Sequence, residues 1–422
     1  MFKFLHAADI HLDSPLHAVR SYDDDRVTTL TTASREALKN LVNLAIEEQV
    51  AFLLIAGDVY DGDWDDVGTG MFFNGEMKRL AKAGIRVFAI AGNHDAANHM
   101  TRNIPLPENV RYLSDRRPET VLLDDLRVAI HGQGFPNRAV KDNLVLNYPS
   151  ARQGYFNIGL LHTSLTGSEK HETYCPCTID DLRARGYDYW ALGHVHQRRM
   201  PSEADPVIAY SGNLQGRHVW ETGPKGGLLV TVDDRGRPEI EFRPFDVIRW
   251  EVLSLDASAC DSTEELESSL QHALQELQAK NKRLPLVVRL SLTGATSIHD
   301  ALLADRRARE ERFRAVAQNA GRQNPVWLER ILFKTRPARE FDPDEWADGP
   351  LGTVDALVRG WLAEAADLSE PQEELKAFCD QLPLELWDAD EPRFDSPDRL
   401  RELLTGVLPL LRRRLLDTGD IA

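Results

Sequence analysis

Five apolar runs in this chain each end in side chains that can bind a cation. AADIH supplies Asp9 and His11, AGDVYD supplies Asp58 and Asp61, and AGNHD supplies Asn93, His94 and Asp95. LLHTS then supplies His162, and ALGHVH supplies His194 and His196. A lone D-x-H or H-x-H is more often surface chemistry or a structural histidine. Five independent strand ends of one kind, spread from position 9 to position 196, are not explained that way. In α/β sheets, ligands gather outside the carboxyl ends of the strands, so residues far apart in the chain can meet at one site. Alternation along a strand also puts i and i+2 on the same side, which predicts that Asp9 with His11, and His194 with His196, face a common cleft.

Imidazole, carboxylate and an amide oxygen suit Mn²⁺, Fe or Zn²⁺, and the absence of cysteine from the set argues against a structural thiolate zinc site. Asp9, His11, Asp58, Asn93, His162, His194 and His196 are too many ligands for one four-coordinate ion. Two ions about 3.5–4 Å apart, sharing one carboxylate, would use them all and would bind both the attacking and the departing oxygens of a phosphoryl transfer. Asp58, at the end of the central strand, is the expected bridge.

The elements that must position these residues read as βαβαβ: FKFLHAADI, a helical pattern over 32–49, AFLLIAGDV, a second helix over 70–83, and IRVFAIAGNHD. LRVAIHGQG, FNIGLLHTS, YDYWALGHVH, PVIAYSGN and GGLLVTVDD read as strands with fewer helices between them, which predicts a more antiparallel or mixed second half of the sheet. The expected architecture is a layered α/β sandwich. Beyond Phe245, WEVLSLD, a helical 262–281 and LPLVVRLSLTG predict a smaller α+β module, followed by charged segments and C-terminal helices. The expected domains are 1–245 for the phosphoesterase part, 246–340 for the accessory module and 341–422 for a mostly helical end.

With 422 residues, 42% of them hydrophobic and 28% charged, the composition is that of a soluble globular protein of two or three domains. The absence of a long apolar run and of a secretory signal pattern at MFKFLHAADI predicts a cytoplasmic protein without a membrane span. Cys175, Cys177, Cys260 and Cys379 are too few and too scattered for a disulfide framework, and read as reduced thiols. The formal charge of −17 argues against a general polyanion-binding surface. Residues 1–250 carry 28 basic against 34 acidic residues, and 251–422 carry 22 against 33, so the acidic excess lies toward the C-terminus. A nucleic-acid site would need a local basic patch or metal ions as its positive charge. Arg198 and Arg199, next to the last histidine, and Arg217 with His218 are candidates for gripping phosphates, and Trp64 and Trp220 for stacking on an unpaired base.

The series D-x-H, G-D-x-x-D, G-N-H-D, a single His and G-H-x-H, in this order, resembles the calcineurin-like metallophosphoesterases over roughly residues 1–245. Within it, GDVYDGDW, FAIAGNHDAANHMTRNIPLP, YDYWALGHVHQRR and SGNLQGRHVWETGPKG are similar to the bacterial DNA-repair exonuclease branch, the SbcD and YhaO-like nuclease subunits. The resemblance implies a sandwich of the metallophosphoesterase type and two divalent ions, Mn²⁺ foremost, with Mg²⁺, Fe or Zn²⁺ as other choices. Asp9, His11, Asp58 and His196 would hold one ion, and Asp58, Asn93, His162 and His194 the other. His94 would stay unmetallated and serve the leaving oxygen or the phosphate. Asp61 would orient a ligand or His94.

The implied function is a two-metal DNA exonuclease, able also to cut internally, that works in DNA repair or end processing. Its implied partners are DNA, an SbcC-like coiled-coil ATPase docked through the terminal LRELLTGVLPLLRRRLL, and a second copy of the chain in a homodimer. Two departures stand out: GDWDDVG lacks the prolines frequent after G-D-x-x-D in SbcD-type chains, and no motif is assigned after residue 245, which leaves the resemblance confined to the first part. Competing readings are a phosphodiesterase or phosphatase for a small nucleotide or phosphoprotein, and a DNA-end-binding subunit with little turnover. His94 and the full ligand set speak against the latter, and the C-terminal extension against the former.

Overall fold

β1 (Phe2–Ala7) is buried on both faces: Phe4 joins one apolar layer, while Leu5 and Ala7 join another. A strand covered on both sides reads as a continuous apolar run rather than as an alternation. The computed structural model describes residues 1–14, 32–61, 67–97, 105–165, 174–203, 205–282, 284–321, 324–338, 350–363, 368–379, 396–397, 399–401 and 403–404. Trp64 and the terminal segment beyond Leu404, including the proposed docking arginines, lie outside the described residues.

After β1 come α1 (Ala33–Glu47), β2 (Phe52–Ile55), α2 (Val67–Lys82), β3 (Arg86–Ala89), the one-turn α3 (Asn93–Ala97) and β4 (Val110–Tyr112). Then follow β5 (Glu119–Leu123), β6 (Val128–Gly132), β7 (Phe156–His162), α4 (Ile179–Arg183), β8 (Tyr189–Gly193), β9 (Arg199–Ser202), β10 (Val207–Tyr210), β11 (Gly226–Val232) and β12 (Pro238–Pro244). One six-stranded sheet has the order β12-β11-β1-β2-β3-β4 and the other β5-β6-β7-β8-β10-β9. Phe4, Phe52, Leu54 and Phe88 of the first sheet pack on Ile158, Leu160, Tyr189 and Ala209 of the second. Leu38, Leu41 and Val42 of α1, with Phe73, Met77 and Leu80 of α2, cover the first sheet's outer face at helical spacing. The mixed α/β sandwich expected from the sequence is what the chain forms.

The mixed pairing expected of the later strands holds, but they are divided between two sheets: β11 and β12 join the first antiparallel, while the second has a parallel centre, β6-β7-β8-β10, with β5 and β9 as antiparallel edges. Parallel neighbours require crossovers. The described parts of those crossovers hold a 3₁₀ turn at Leu144–Asn147 and the short α4, so counting long helical patterns in the sequence undercounts parallel pairings.

The chain continues with β13 (Arg249–Asp256), α5 (Thr263–Lys280), β14 (Leu286–Thr293), β15 (Ala295–Thr296), α6 (His299–Ala304), α7 (Arg306–Ala320), β16 (Val326–Phe333), β17 (Arg336–Pro337), α8 (Pro350–Leu362) and α9 (Ser369–Cys379). Two compact units result. The first comprises Met1–Leu255, Leu266–Leu292 and Arg307–Phe333, and so holds both large sheets and most of the three-stranded sheet β13-β14-β16. Within it, Val219, Ile248, Trp250, Val287, Trp327 and Ala33 form one buried cluster that ties this small sheet to the two-sheet sandwich. The second unit contains the β15–β17 pair, α6, and a cluster in which Val358 of α8 meets Leu368, Leu400 and Leu404. Among the described residues, no helix is long and apolar enough to cross a membrane.

Candidate metal centre

The strands of both large sheets deliver their ends to one place. The backbone after β1 runs beside that after β2, with the N–H groups of Asp9 and His11 donating to the carbonyls of Gly57 and Asp58 at 3.0 and 3.1 Å. From the second sheet, the His194 N–H donates to both carboxylate oxygens of Asp9 at 3.0 and 3.1 Å. His162 Nδ1 donates to the carbonyl of Ala56 at 2.9 Å.

β1 ends at Ala7 and β8 at Gly193, so neither D-x-H nor H-x-H lies on a strand. Strand alternation therefore does not aim these pairs. Left-handed backbone does, with φ of 50° at Asp9, 44° at His11, 52° at Asp58 and 96° at His194. Such conformations in non-glycine residues cluster at functional sites. Close approach explains two glycines of the motifs. A Cβ on Gly92 would stand 2.2 Å from Asp58 Oδ1, and one on Gly57, whose φ is +95°, would stand 2.5 Å from His162 Nδ1.

The donor atoms converge on two points. His11 Nε2 and His196 Nε2 lie 3.1 Å apart. His162 Nε2 lies 2.9 Å from Asn93 Oδ1 and 3.3 Å from Asp58 Oδ2. Asp58 Oδ2 is also 3.8 Å from His11 Nε2, so this one oxygen stands between the two groups. Asp9, His11 and His196, and likewise Asp9, Asp58 and His162, offer ligand atoms within 4.8 Å of one another. Two nitrogens each about 2.1 Å from a shared cation would stand about 3 Å apart at a right angle, so the spacing fits metal coordination. The tautomers fit too. With Nδ1 of His162 given to a carbonyl and Nδ1 of His196 2.6 Å from the Glu221 carboxylate, both Nε2 lone pairs turn inward. His11 Nδ1 is buried without a hydrogen-bond partner, since the Asp61 oxygen 3.2 Å away is off line for one.

Electrostatics agree with a cation site. Burial drives His11 down to about 3, so it presents a neutral imidazole. Burial also opposes charge on His162, yet Asp58 beside it pushes that ring up to about 9. Burial alone would raise Asp58, but the facing imidazoles of His162 and His11 hold it well below the usual carboxylate range. Carboxylates that draw a proton onto an imidazole this way draw a divalent cation in its place.

His94 lies at the edge of this group, with its side chain 28% exposed and its N–H donating to Asp58 Oδ1 at 2.9 Å. Its Nδ1 is 3.0 Å from Asp61 Oδ1, and His94 also offers a ring nitrogen within 4.8 Å of ligand atoms of His11 and Asp58. Asp61 is no exposed turn acid. Besides His94 it meets His11 Nδ1 at 3.2 Å and Arg217 Nη1 at 3.5 Å, and its Oδ2 accepts from the Ser14 hydroxyl at 2.6 Å. Burial tends to lower His94, but the Asp61 bond outweighs it and raises its pKa. Asp95, pushed up to about 6 by burial, is structural in position: it accepts the N–H groups of Tyr60 and Gly92.

Of the phosphate-binding candidates, Arg217 alone reaches the metal-ligand group, with Nη2 3.3 Å from His196 Nδ1. His218 is half exposed, its Nε2 3.4 Å from Glu221. Arg198 instead lays its guanidinium over the Phe242 ring at 4.3 Å, and exposed Arg199 bonds Gln197 at 3.1 Å. Sequence reasoning missed Glu221. Its buried carboxylate takes His196 Nδ1, the Arg217 N–H at 2.7 Å and the Asn213 amide at 2.8 Å, and His196 and Arg217 outweigh burial to hold it well below its usual range. The only sequence signal was an acid four residues after Arg217 in a loop of basic and aromatic residues.

Comparison with known proteins gives two family matches. Residues 2–198 match the profile described as calcineurin-like phosphoesterase, and residues 250–336 that of the metallophosphoesterase YhaO middle domain. The uncharacterized metallophosphoesterase YhaO of Bacillus subtilis (strain 168) is 32% identical over 421 residues, covering 98% of each chain. The DNA double-strand break repair protein Mre11 of Sulfurisphaera tokodaii is 24% identical over 386 residues, 88% of this chain and 90% of that one. Among solved structures, a dimetal phosphatase from Danio rerio matches 57% of this chain and 99% of its own at 11% identity and a TM-score of 0.34.

Proposed function

This chain belongs to the calcineurin-like metallophosphoesterases, and from that membership we propose that it is a two-metal DNA nuclease of the exonuclease type, able also to cut internally. The observation that carries the phosphodiester chemistry is Asp58 Oδ2, set between His162 Nε2 at 3.3 Å and His11 Nε2 at 3.8 Å, with His94, held by Asp61, beside it. DNA as substrate rests on the similarity to Mre11, which extends beyond the sandwich to 88% of the chain.

Asp9, His11, Asp58 and His196 would hold one ion, and Asp58, Asn93, His162 and His194 the other. Manganese suits this mixed oxygen and imidazole set without thiolate. When bound, two divalent ions supply Lewis-acid stabilisation of phosphoryl oxygens and acidify water. The protein supplies the rest. Asp61 holds His94 Nδ1, so that the opposite ring nitrogen can give its proton to the departing sugar oxygen. Arg217, fixed by Asp61 and Glu221, adds a positive charge next to the transferring phosphate. Arg198, Arg199 and His218 serve phosphates farther along the strand.

The proposed division is 1–245 for catalysis, 246–340 for an accessory, capping-like module and 341–422 for docking an SbcC-like coiled-coil ATPase, in the cytoplasm and in a homodimeric assembly. Labelled duplex DNA, single-stranded DNA and a chromogenic diester, each incubated with Mn²⁺, Mg²⁺ or chelator, test the reading. Metal-dependent cutting of DNA is the expected result. Hydrolysis of the diester alone would favour a small-molecule phosphodiesterase, and DNA binding with no hydrolysis would favour a binding subunit.

A further inference from the structure

The loop between β10 and β11 treats successive side chains differently. Arg217 and Glu221 turn toward the metal ligands, and Val219 sinks into the apolar cluster with Ile248, Trp250, Val287 and Trp327. Trp220, between Val219 and Glu221, remains 64% exposed. Singly exposed apolar side chains are ordinary and need no explanation, but this one is braced. Gln215 bonds the backbone of Val247 and Ile248, with its amide donating to the Ile248 carbonyl at 2.7 Å, and Trp250 Nε1 donates to the Gly216 carbonyl at 2.9 Å. The Trp220 N–H donates to His218 Nδ1 at 3.3 Å. From β14, the Arg289 guanidinium lies over the indole at 5.6 Å and is itself clamped by both Glu329 oxygens at 2.9 Å.

An indole held flat by a fixed cation, with most of its surface in water, is organised for a flat, electron-rich partner. It stands one residue from Glu221, the partner of His196, and on the same loop as Arg217. In a chain of formal charge −17, Arg289 stands over the ring and His218 is bonded to the Trp220 N–H, while Arg217 on the same loop turns to Asp61. We propose that Trp220 is a stacking platform for an unpaired nucleobase of the strand whose phosphate lies at the metal centre. The inference rests on the nuclease reading and names what the site grips besides phosphate. Stacking needs no particular base, because every base has a π-face, so the platform favours single-stranded or frayed ends without specifying sequence.

The test uses the full chain and oligonucleotides carrying 2-aminopurine or an abasic residue at successive positions. Wild type should quench 2-aminopurine at one position. Trp220→Ala should abolish that quench and weaken single-strand binding by about 5–150-fold, the usual worth of one stacked base. Trp220→Phe should recover most of the loss. An abasic residue at the quenched position should weaken wild type to the level of Trp220→Ala and cost that variant nothing more. Equal binding by wild type and Trp220→Ala, or an abasic penalty of the same size in both, overturns the platform even if wild type cuts DNA. Loss of association with a protein in Trp220→Ala, at unchanged DNA affinity, overturns it in favour of a docking surface. If wild type neither binds nor cuts any DNA, the nuclease reading falls first.

Discussion

The two halves of the metal centre are built by different means. Around Asn93 and His162 both of these side chains are buried, and the His162 imidazole is oriented by a main-chain carbonyl, that of Ala56 just after β2. Around His11 and His196 one ring is 22% exposed, and its orientation comes from a side chain, Glu221, on a loop that also carries Arg217 and Trp220. The first half arrives with the sheet and can hardly be altered without altering the fold. The second hangs on a loop tied to the small β13-β14-β16 sheet through Gln215 and Val219, so substitutions far from any ligand can tune it.

The largest effect should come from the atom both halves share. Asp58→Asn removes its negative charge and is expected to lose metal from both sides and turnover with it, while Asp61→Asn keeps its metal. Elemental analysis of the two purified variants decides, and equal occupancy would show that the bridge is elsewhere. Next in size is His94→Ala, which belongs to neither half as a ligand. Its turnover should fall about 10²–10⁴-fold, the usual worth of general acid–base assistance, with metal content unchanged. A drop in bound metal would make His94 a ligand.

Glu221→Gln separates the halves directly. Loss of the carboxylate behind His196 should weaken metal binding by about 10–100-fold, the usual cost of removing such a support, and only on that side. Two-site titration calorimetry with Mn²⁺ would reveal one weakened site, and two equally weakened sites would erase the distinction drawn here. The smallest effect expected is that of salt. With so few basic groups near the ions, log affinity for duplex DNA should fall with log salt by about 0.9 for each of only a few phosphates, and chelator should weaken binding more than moderate salt does. Tight binding in chelator with a steep salt slope would mean that the cationic grip lies outside the metal centre.

Much of this arrangement was readable before any coordinates. Asp9, His11, Asp58, Asn93, His162, His194 and His196 converge because apolar runs announce strands and strand ends in α/β folds face one edge. The reason first given for the pairs, alternation along a strand, was not the operative one, since φ values are invisible in a sequence. The second sheet was hidden because the described parts of its crossovers carry only a 3₁₀ turn and a five-residue helix. Glu221 was hidden because its meaning depends on His196, 25 positions away and brought near only by the fold. Arg198 and Arg217 looked alike as basic neighbours of the site, yet one stacks on Phe242 and the other reaches Asp61, a choice set by tertiary packing.

Four non-glycine residues with left-handed backbone, at Asp9, His11, Asp58 and His194, make the centre a place where folding and ion uptake share one equilibrium. Each such conformation costs on the order of 1–3 kcal/mol and persists only where its surroundings hold it. The unfolded chain escapes that cost, whereas a cation that binds only the folded chain adds about 2.7 kcal/mol of stability at a hundredfold excess over its dissociation constant. The melting temperature of this protein should therefore behave as a meter of its own metal supply, climbing with the logarithm of free ion and needing no substrate to be read. Ranking Mn²⁺, Mg²⁺, Fe²⁺ and Zn²⁺ by that climb gives their order of preference by thermal denaturation alone.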